Sequence, residues 1–392
     1  MTSYDVAVVG LGTMGSFACC ELARRGLRVV GLDRFSPPHD RGSHSGGTRV
    51  FRMAYAENPS YVPLARHAGM LWGQYAIEAE VPLLHRCGML SIGEPDSALL
   101  RGTRKSSEEH GLSTTTYASQ EIRKLFPAIH PSADHIGIFE PEAGWIDVNA
   151  AIEATRRLSK LAGATLLDGC PVLDITNRIS HFEIVTPSQT IAAERVVVTA
   201  GAWCGQLLSK LGEPLDLPLQ VVRKVVLWVN PLEPEQFTPQ RLPIFAFAER
   251  FFYGFPTVFG PDVKIAVHWE PGQTVADPTL GTDMPTRDEA IPALKQAAKY
   301  LPALAGPLPS AFARVTQLKT CLYTMTPDEH FVIDRHPEWQ NLVFAAGFSG
   351  HGFKFAPVVG EALADMVTLG ETSLPIGFLR VGAGRFPFHD SY

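Results

Sequence analysis

The chain has 392 residues, 45% hydrophobic and 19% charged, which suits a soluble folded enzyme and, at this length, predicts two domains. Its formal net charge of −6 leaves no basic excess to neutralise phosphates, which argues against a nucleic-acid partner. No apolar run reaches bilayer-spanning length, and the N-terminus MTSYDVAVVG lacks a basic segment, apolar stretch and cleavage site, so a cytoplasmic protein without membrane association is expected.

The first elements read as strand, turn, helix, strand across YDVAVVGLGTMGSFACCELARRGLRVVGLDR. Val6, Val8 and Val9 form the apolar run of a buried parallel strand. In the GxGxxG turn, Gly10 permits the tight bend, Gly12 lets a pyrophosphate approach the backbone, and Gly15 lets helix and strand pack closely. Met14, Phe17, Ala18 and Leu22 keep helical spacing up to Gly26. Asp33 ends the second strand about 20 residues beyond the glycines, where a carboxylate meets a ribose hydroxyl. This predicts a dinucleotide with an unphosphorylated ribose; the motif does not choose between NAD and FAD.

The following segment, PPHDRGSHSGGTRVFRMAY, has the composition of a loop beside a ligand. If the chain turns helical at Thr48, Arg49 and Arg52 share a face, which needs a nearby anion or else a solvated basic surface. Further on, a helix is expected from about Ala150 to Leu161 with Asn149 as its cap. Val196 to Val198 reads as another buried strand, followed by a small-residue turn and a helix.

QVVRKVVLWVN, IFAFAERFFYGFP and VKIAVHWE are β-rich and separated by proline-rich loops, predicting an antiparallel sheet for a substrate domain. Lys264, Ala266 and His268 alternate onto one face and Val263, Ile265 and Val267 onto the other; the lysine and histidine face either solvent or a ligand. Phe245, Phe247, Phe251 and Trp269 either line a pocket or fill the sheet core. The six cysteines, Cys19, Cys20, Cys87, Cys170, Cys204 and Cys321, form no CxxC pair and no zinc-like spacing, so no metal is expected and reduced, buried thiols are the default. Near the C-terminus, Leu342 to Ala346 is a strand, Gly347, Gly350 and Gly352 form a second glycine loop, and Pro357 to Val367 is a helix. Lys354 stands before that helix's positive end, where it faces either an anion or solvent. The economical division is a discontinuous α/β cofactor domain of residues 1–85, 146–216 and 322–392, with a β-sheet substrate domain of residues 86–145 and 217–321.

Four stretches, GLGTMG, PPHDRGSHSGGTRVFRMAY, TCLYTMTPDEHFVID and AAGFSGHGFKF, together resemble the monomeric sarcosine oxidase and N-methyl-L-tryptophan oxidase family of flavoprotein amine oxidases along nearly the whole chain. The resemblance implies FAD in a D-amino-acid-oxidase-like, two-domain fold with a Rossmann-type cofactor domain. It implies a thioether from Cys321 to the flavin 8α-methyl carbon, and cofactor contacts from Gly10, Gly12, Thr13, Met14, Gly15, Asp33, Arg34, Ser43, Arg49, Val172, Gly201, Gly347, Gly350, Gly352 and Lys354. It assigns Arg52 and Lys354 to the substrate carboxylate, Arg49 to the flavin's side, Lys264 to the reaction with oxygen, and His268, Tyr253 and Tyr323 to the substrate pocket. Tyr323 shares a side with Cys321 if the segment is extended. The implied reaction oxidises a secondary α-amino acid such as sarcosine to an imine, which water hydrolyses to an amino acid and an aldehyde, while O2 becomes H2O2. N-methyl-L-tryptophan or a cyclic imino acid of the pipecolate or proline type is the alternative substrate, and a non-oxidase electron-transferring or flavin-binding subunit the alternative of another class. A monomer is implied, with no macromolecular partner. Ser45, Gly47 and Met53 depart from the histidine, aspartate and histidine of the best-known members, which leaves the substrate open.

Overall fold

The structure is a computed structural model that describes residues 3–268, 273–281, 283–381 and 385; Trp269 lies outside the described residues. The opening strand Ser3–Val9 is buried from Val6 onward and pairs in parallel with Val29–Leu32 on one side and Thr190–Val198 on the other. Leu342–Ala346 adds in parallel to Thr190–Val198, and Thr165–Leu167 adds in parallel to Val29–Leu32. The short strands Asp174–Asn177, Phe182–Val185 and Val332–Arg335 are antiparallel additions, so the sheet is mixed rather than wholly parallel.

Three helices cover one face of this sheet's core. The helix after the glycine turn, Thr13–Arg24, packs against Val148–Leu161 and Ala356–Thr368. Gly360 allows the closest approach, since a Cβ there would stand 2.7 Å from Phe17 Cβ and 2.8 Å from the Phe17 carbonyl carbon. Both predicted helix termini near the glycine motifs hold to within about a turn. The cap of Val148–Leu161, however, is Asp147, whose Oδ1 accepts from the Ala150 N–H at 3.0 Å; Asn149 is already helical.

The second sheet, nine-stranded among the described residues, contains Gln220–Val229, Ile244–Phe247, Phe252–Phe255 and Val263–Val267 where the β-rich segments predict them. It is antiparallel except where Ile244–Phe247 runs parallel to Met89–Gly93. Val263, Ile265 and Val267 enter its core with Phe245 and Phe247, while Lys264 takes the opposite side and is also buried. Its strand Val315–Met325 pairs with Gln220–Val229 and carries Cys321 and Tyr323 on one face toward the first sheet.

Thr48–Phe51 is a strand, not a helix start. Its β-branched and aromatic residues pair antiparallel with Gly144–Asp147, which joins Leu84–Arg86 in a small third sheet. Arg49 and Arg52 therefore do not share a helical face. No described helix is long and apolar enough to cross a membrane.

Gly360→Ala is expected to destabilise the full chain by about 1–3 kcal/mol, because overpacking against helix backbone outweighs the roughly 1 kcal/mol gain in helix propensity. An unchanged urea midpoint contradicts this packing.

Candidate active site

A cavity of about 380 Å³ runs between the two glycine loops. Gly10, Gly12, Thr13, Met14, Asp33, Arg34, Ser43, Arg49, Val172, Gly201, Gly347, Gly350, Gly352 and Tyr323 all line it. Gly15 does not: a side chain there would collide with the Gly10 carbonyl, so its role is the close helix–strand contact the spacing predicts. Gly10 has φ +93°, and a Cβ would fall 2.6 Å from the Thr199 carbonyl oxygen. Asp33 accepts from the backbone N–H groups of Leu11 and Phe35, both at 2.8 Å, which fixes the carboxylate at the cavity edge. Burial raises its pKa against those two bonds. Thr324 also lines the cavity, and its buried Oγ1 has no partner among the described residues.

These features fit a dinucleotide. The helix Thr13–Arg24 begins at the cavity with no side-chain cap, offering N–H groups to an anion, and Asp33 offers an acceptor to a ribose. Orphan polar atoms then gain partners from the cofactor.

At the far end, Cys321 is 4% exposed and its Sγ donates to the Ser43 carbonyl at 3.4 Å. Arg49 Nη2 lies 3.3 Å from the same sulfur. The guanidinium is otherwise held by the carbonyls of Thr48, Ser43 and Ser45 at 2.7–2.8 Å. Cys19, Cys20, Cys87 and Cys204 have thiols pushed up by burial, to about 12 for Cys19 and Cys204 and about 11 for Cys87. Among the described residues, Cys321 is the cysteine whose sulfur a guanidinium N–H reaches.

Beyond Arg49 and Tyr323 stand Arg52, Lys354, His268 and Tyr253, off the cavity lining. Arg52 donates to both oxygens of Glu57, at 2.6 and 2.7 Å, and lies 4.4 Å over the Tyr55 ring. Lys354 Nζ donates to the His351 carbonyl at 2.7 Å and sits 5.2 Å from the same ring. Burial and the Arg52 charge bring the Lys354 pKa down to about 7, opposed by Glu57. Glu140 lies nearby, with its oxygens taken by the N–H groups of Met53 and Ala54. Tyr55 O–H donates to His351 Nδ1, because His351 Nε2 donates to the Glu329 carbonyl at 2.9 Å.

His268 Nδ1 is 3.3 Å from Tyr323 Oη. Burial holds the imidazole neutral, with a pKa of about 4, and raises the phenols of Tyr323 and Tyr253, so this polar group carries no charge near neutrality. Phe251 is half-buried with its ring 5.2 Å from that of His268, whereas Phe245 and Phe247 are sheet core.

Lys264 lines a separate pocket with Gly46, Thr48, Trp228 and Phe259. Its Nζ donates to Gly46 O, Thr48 O and Thr48 Oγ1 at 2.8–3.0 Å, three acceptors that match an ammonium. Burial and Arg49 draw its pKa well down.

Glu57, Tyr55 and His351 were not singled out by sequence reasoning. An acid five residues after Arg52 and a histidine inside the second glycine loop were the available signals. No group of His, Cys, Asp and Glu among the described residues has the makings of a metal site.

Together, the parallel core of the first sheet, the two glycine loops and the helix N-terminus at the cavity define a dinucleotide-binding protein. The chain belongs to the family described as DAO, FAD dependent oxidoreductase, whose profile matches residues 5–366. It is 36% identical over 380 residues to monomeric sarcosine oxidase of Streptomyces avermitilis, covering 96% of each chain. It is 32% identical over 368 residues to N-methyl-L-tryptophan oxidase of Yersinia pestis, covering 92% of this chain and 94% of the relative. In fold it resembles NikD, an unusual amino acid oxidase essential for nikkomycin biosynthesis, with TM-score 0.84 at 24% identity over 97% of this chain and 98% of that one. Glycine oxidase from Geobacillus kaustophilus superposes with TM-score 0.80 at 21% identity, over 98% and 99%.

Proposed function

We propose that the chain oxidises a secondary α-amino acid of the N-methyl type, such as sarcosine. The observation that carries this reading is the pair of buried cations, Arg52 and Lys354, beside one ring, of which Arg52 alone is ion-paired, to Glu57. With Glu57 committed to Arg52 and Glu140 to backbone N–H groups, Lys354 has only a backbone carbonyl as hydrogen-bond partner among the described residues, which suits it to a substrate carboxylate. The names of the relatives, sarcosine and N-methyl-L-tryptophan oxidases, support a secondary amine as the other substrate group.

In this reading Arg52 and Lys354 anchor the carboxylate and leave the amine near His268 and Tyr323. Neutral His268 and protonated Tyr323 offer the amine hydrogen-bonding groups without a charge that would favour ammonium. FAD would supply the two-electron acceptor for the amine and the route by which those electrons reach dioxygen as hydrogen peroxide. Water hydrolyses the product imine to an amino acid and an aldehyde. Tyr253 walls the site beside Tyr323, and Lys264 and Arg49 supply positive charge to the oxygen half-reaction. Cys321, which the Arg49 guanidinium reaches, would hold FAD through a thioether to the 8α-methyl carbon, the S–H and C–H protons leaving and the two electrons passing by way of the ring to dioxygen.

Residues 1–85, 146–216 and 322–392 make up the cofactor domain and residues 86–145 and 217–321 the substrate domain, as the division of strands between the two large sheets supports. The expected division points at 85, 145 and 321 fall inside the strands Leu84–Arg86, Gly144–Asp147 and Val315–Met325, so the two domains share continuous strands. The enzyme works as a monomer in the cytoplasm; the relatives' name supports the first part.

The test of function is a panel of secondary amino acids scored by peroxide release: N-methyl amino acids are expected to turn over, and silence across the panel contradicts the reading. Acid precipitation of the native protein is expected to leave flavin with the polypeptide, while Cys321→Ser releases it into the supernatant; release from the native protein contradicts the thioether. Lys354 is ammonium below its pKa of about 7 and neutral above it. Acetate binding, followed by flavin absorbance, should therefore weaken several-fold as pH rises through that value, and Lys354→Met should abolish the dependence. A pH-independent affinity in the native protein removes Lys354 from the carboxylate site.

A further inference from the structure

His44 is a buried residue of the loop after the second strand, 5% exposed, and it lines the cavity beside Gly12 and Gly42. Its Nε2 accepts the backbone N–H of His39 at 3.1 Å. In a neutral imidazole that bond fixes the tautomer, because the accepting nitrogen carries no hydrogen and Nδ1 must. Burial keeps the ring neutral, with its pKa brought down to about 3, and the His39 and Arg49 charges act in the same direction. Nδ1 is the atom turned toward the glycine turn: a methyl placed on Gly12 would lie 3.7 Å from it. Nδ1–H has no hydrogen-bond acceptor among the described residues. Gly12 is also the N-cap of Thr13–Arg24, whose first N–H groups have no side-chain cap.

A donor without an acceptor among the described residues, on a buried side chain that lines the cavity, therefore faces an uncapped helix N-terminus across the position where the glycine motif lets a pyrophosphate approach. We infer that His44 Nδ1–H donates to a pyrophosphate oxygen of FAD, closing the site opposite the helix, with the His39 backbone as the group that sets its tautomer. The inference rests on FAD as the cofactor. It adds a binding residue that the glycine motif does not contain. His39 is held in turn: its Nδ1 accepts from the Arg41 N–H at 3.1 Å, and its Nε2 lies 3.9 Å from Asp33 Oδ1. Pyrophosphate and ribose contacts are thereby tied into one loop, the same loop whose Ser43 carbonyl meets Cys321.

The test uses the full-length Cys321→Ser chain, freed of flavin, with FAD and riboflavin as probes and quenching of flavin fluorescence as the readout. Adding His44→Leu removes the donor and is expected to weaken FAD by about 10- to 100-fold while leaving riboflavin affinity unchanged, since riboflavin has no phosphate. His44→Asn keeps an N–H near the Nδ1 position and is expected to bind FAD within about threefold of the parent. Equal FAD affinity in the leucine variant overturns the inference. So does a parallel loss of riboflavin, which marks a structural role, or an asparagine variant as weak as the leucine one. A parent chain that binds riboflavin but gains nothing from the rest of FAD overturns the dinucleotide reading itself, a result separable from any effect at His44.

Discussion

The site depends on burying cations with few countercharges. Arg49, Lys264 and Lys354 donate to backbone carbonyls, one hydroxyl and the Cys321 sulfur, and Arg52 alone among these four is paired with a carboxylate. Carbonyl dipoles satisfy N–H groups and lower the cost of desolvation, several kcal/mol per ion, but they bring no countercharge. Burial therefore draws the pKa values of Lys264 and Lys354 down, so that a negative partner is what holds each as ammonium. Such a region favours whatever brings negative charge into it, whether a substrate carboxylate or electron density delivered to the cofactor.

The fold exists to make that arrangement rigid. Arg49 comes from a short strand locked against Gly144–Asp147, Cys321 and Tyr323 from a long strand of the second sheet, and Lys354 from the glycine loop that follows Leu342–Ala346. Segments from nearly opposite ends of the chain meet at one sulfur, since Arg49 and Cys321 are 272 residues apart. Side chains on regular strands hold their positions better than side chains on loops, and the carbonyls that hold Arg49 and Lys264 belong to Ser43–Thr48, fixed by those same bonds.

Much of this was legible in the sequence, and what was missed has a physical pattern. The glycine turn, its flanking strands, the second glycine loop and the alternation of Lys264 against Val263 and Ile265 are local signals that burial reinforces. Cys321 and the basic residues were legible through family likeness, because nothing near Cys321 in sequence announces a guanidinium. Thr48–Phe51 was misjudged because four residues carry no decisive period, and a partner strand nearly 100 residues away decides their conformation. Asp147 takes the place of Asn149 as cap because the helix begins two residues earlier than the spacing implied. Glu57 and the His39–His44 relay are relationships between side chains and backbone that only the folded chain displays.

The most direct measurement of a cationic site that selects a carboxylate is the ratio of kcat/KM for sarcosine to that for its neutral primary amide, which keeps the secondary amine and loses the anionic charge. The account predicts at least a 100-fold or so preference for sarcosine, since a charge-assisted bidentate contact and a buried ammonium lose their partner together. Comparable turnover of the two compounds would contradict it.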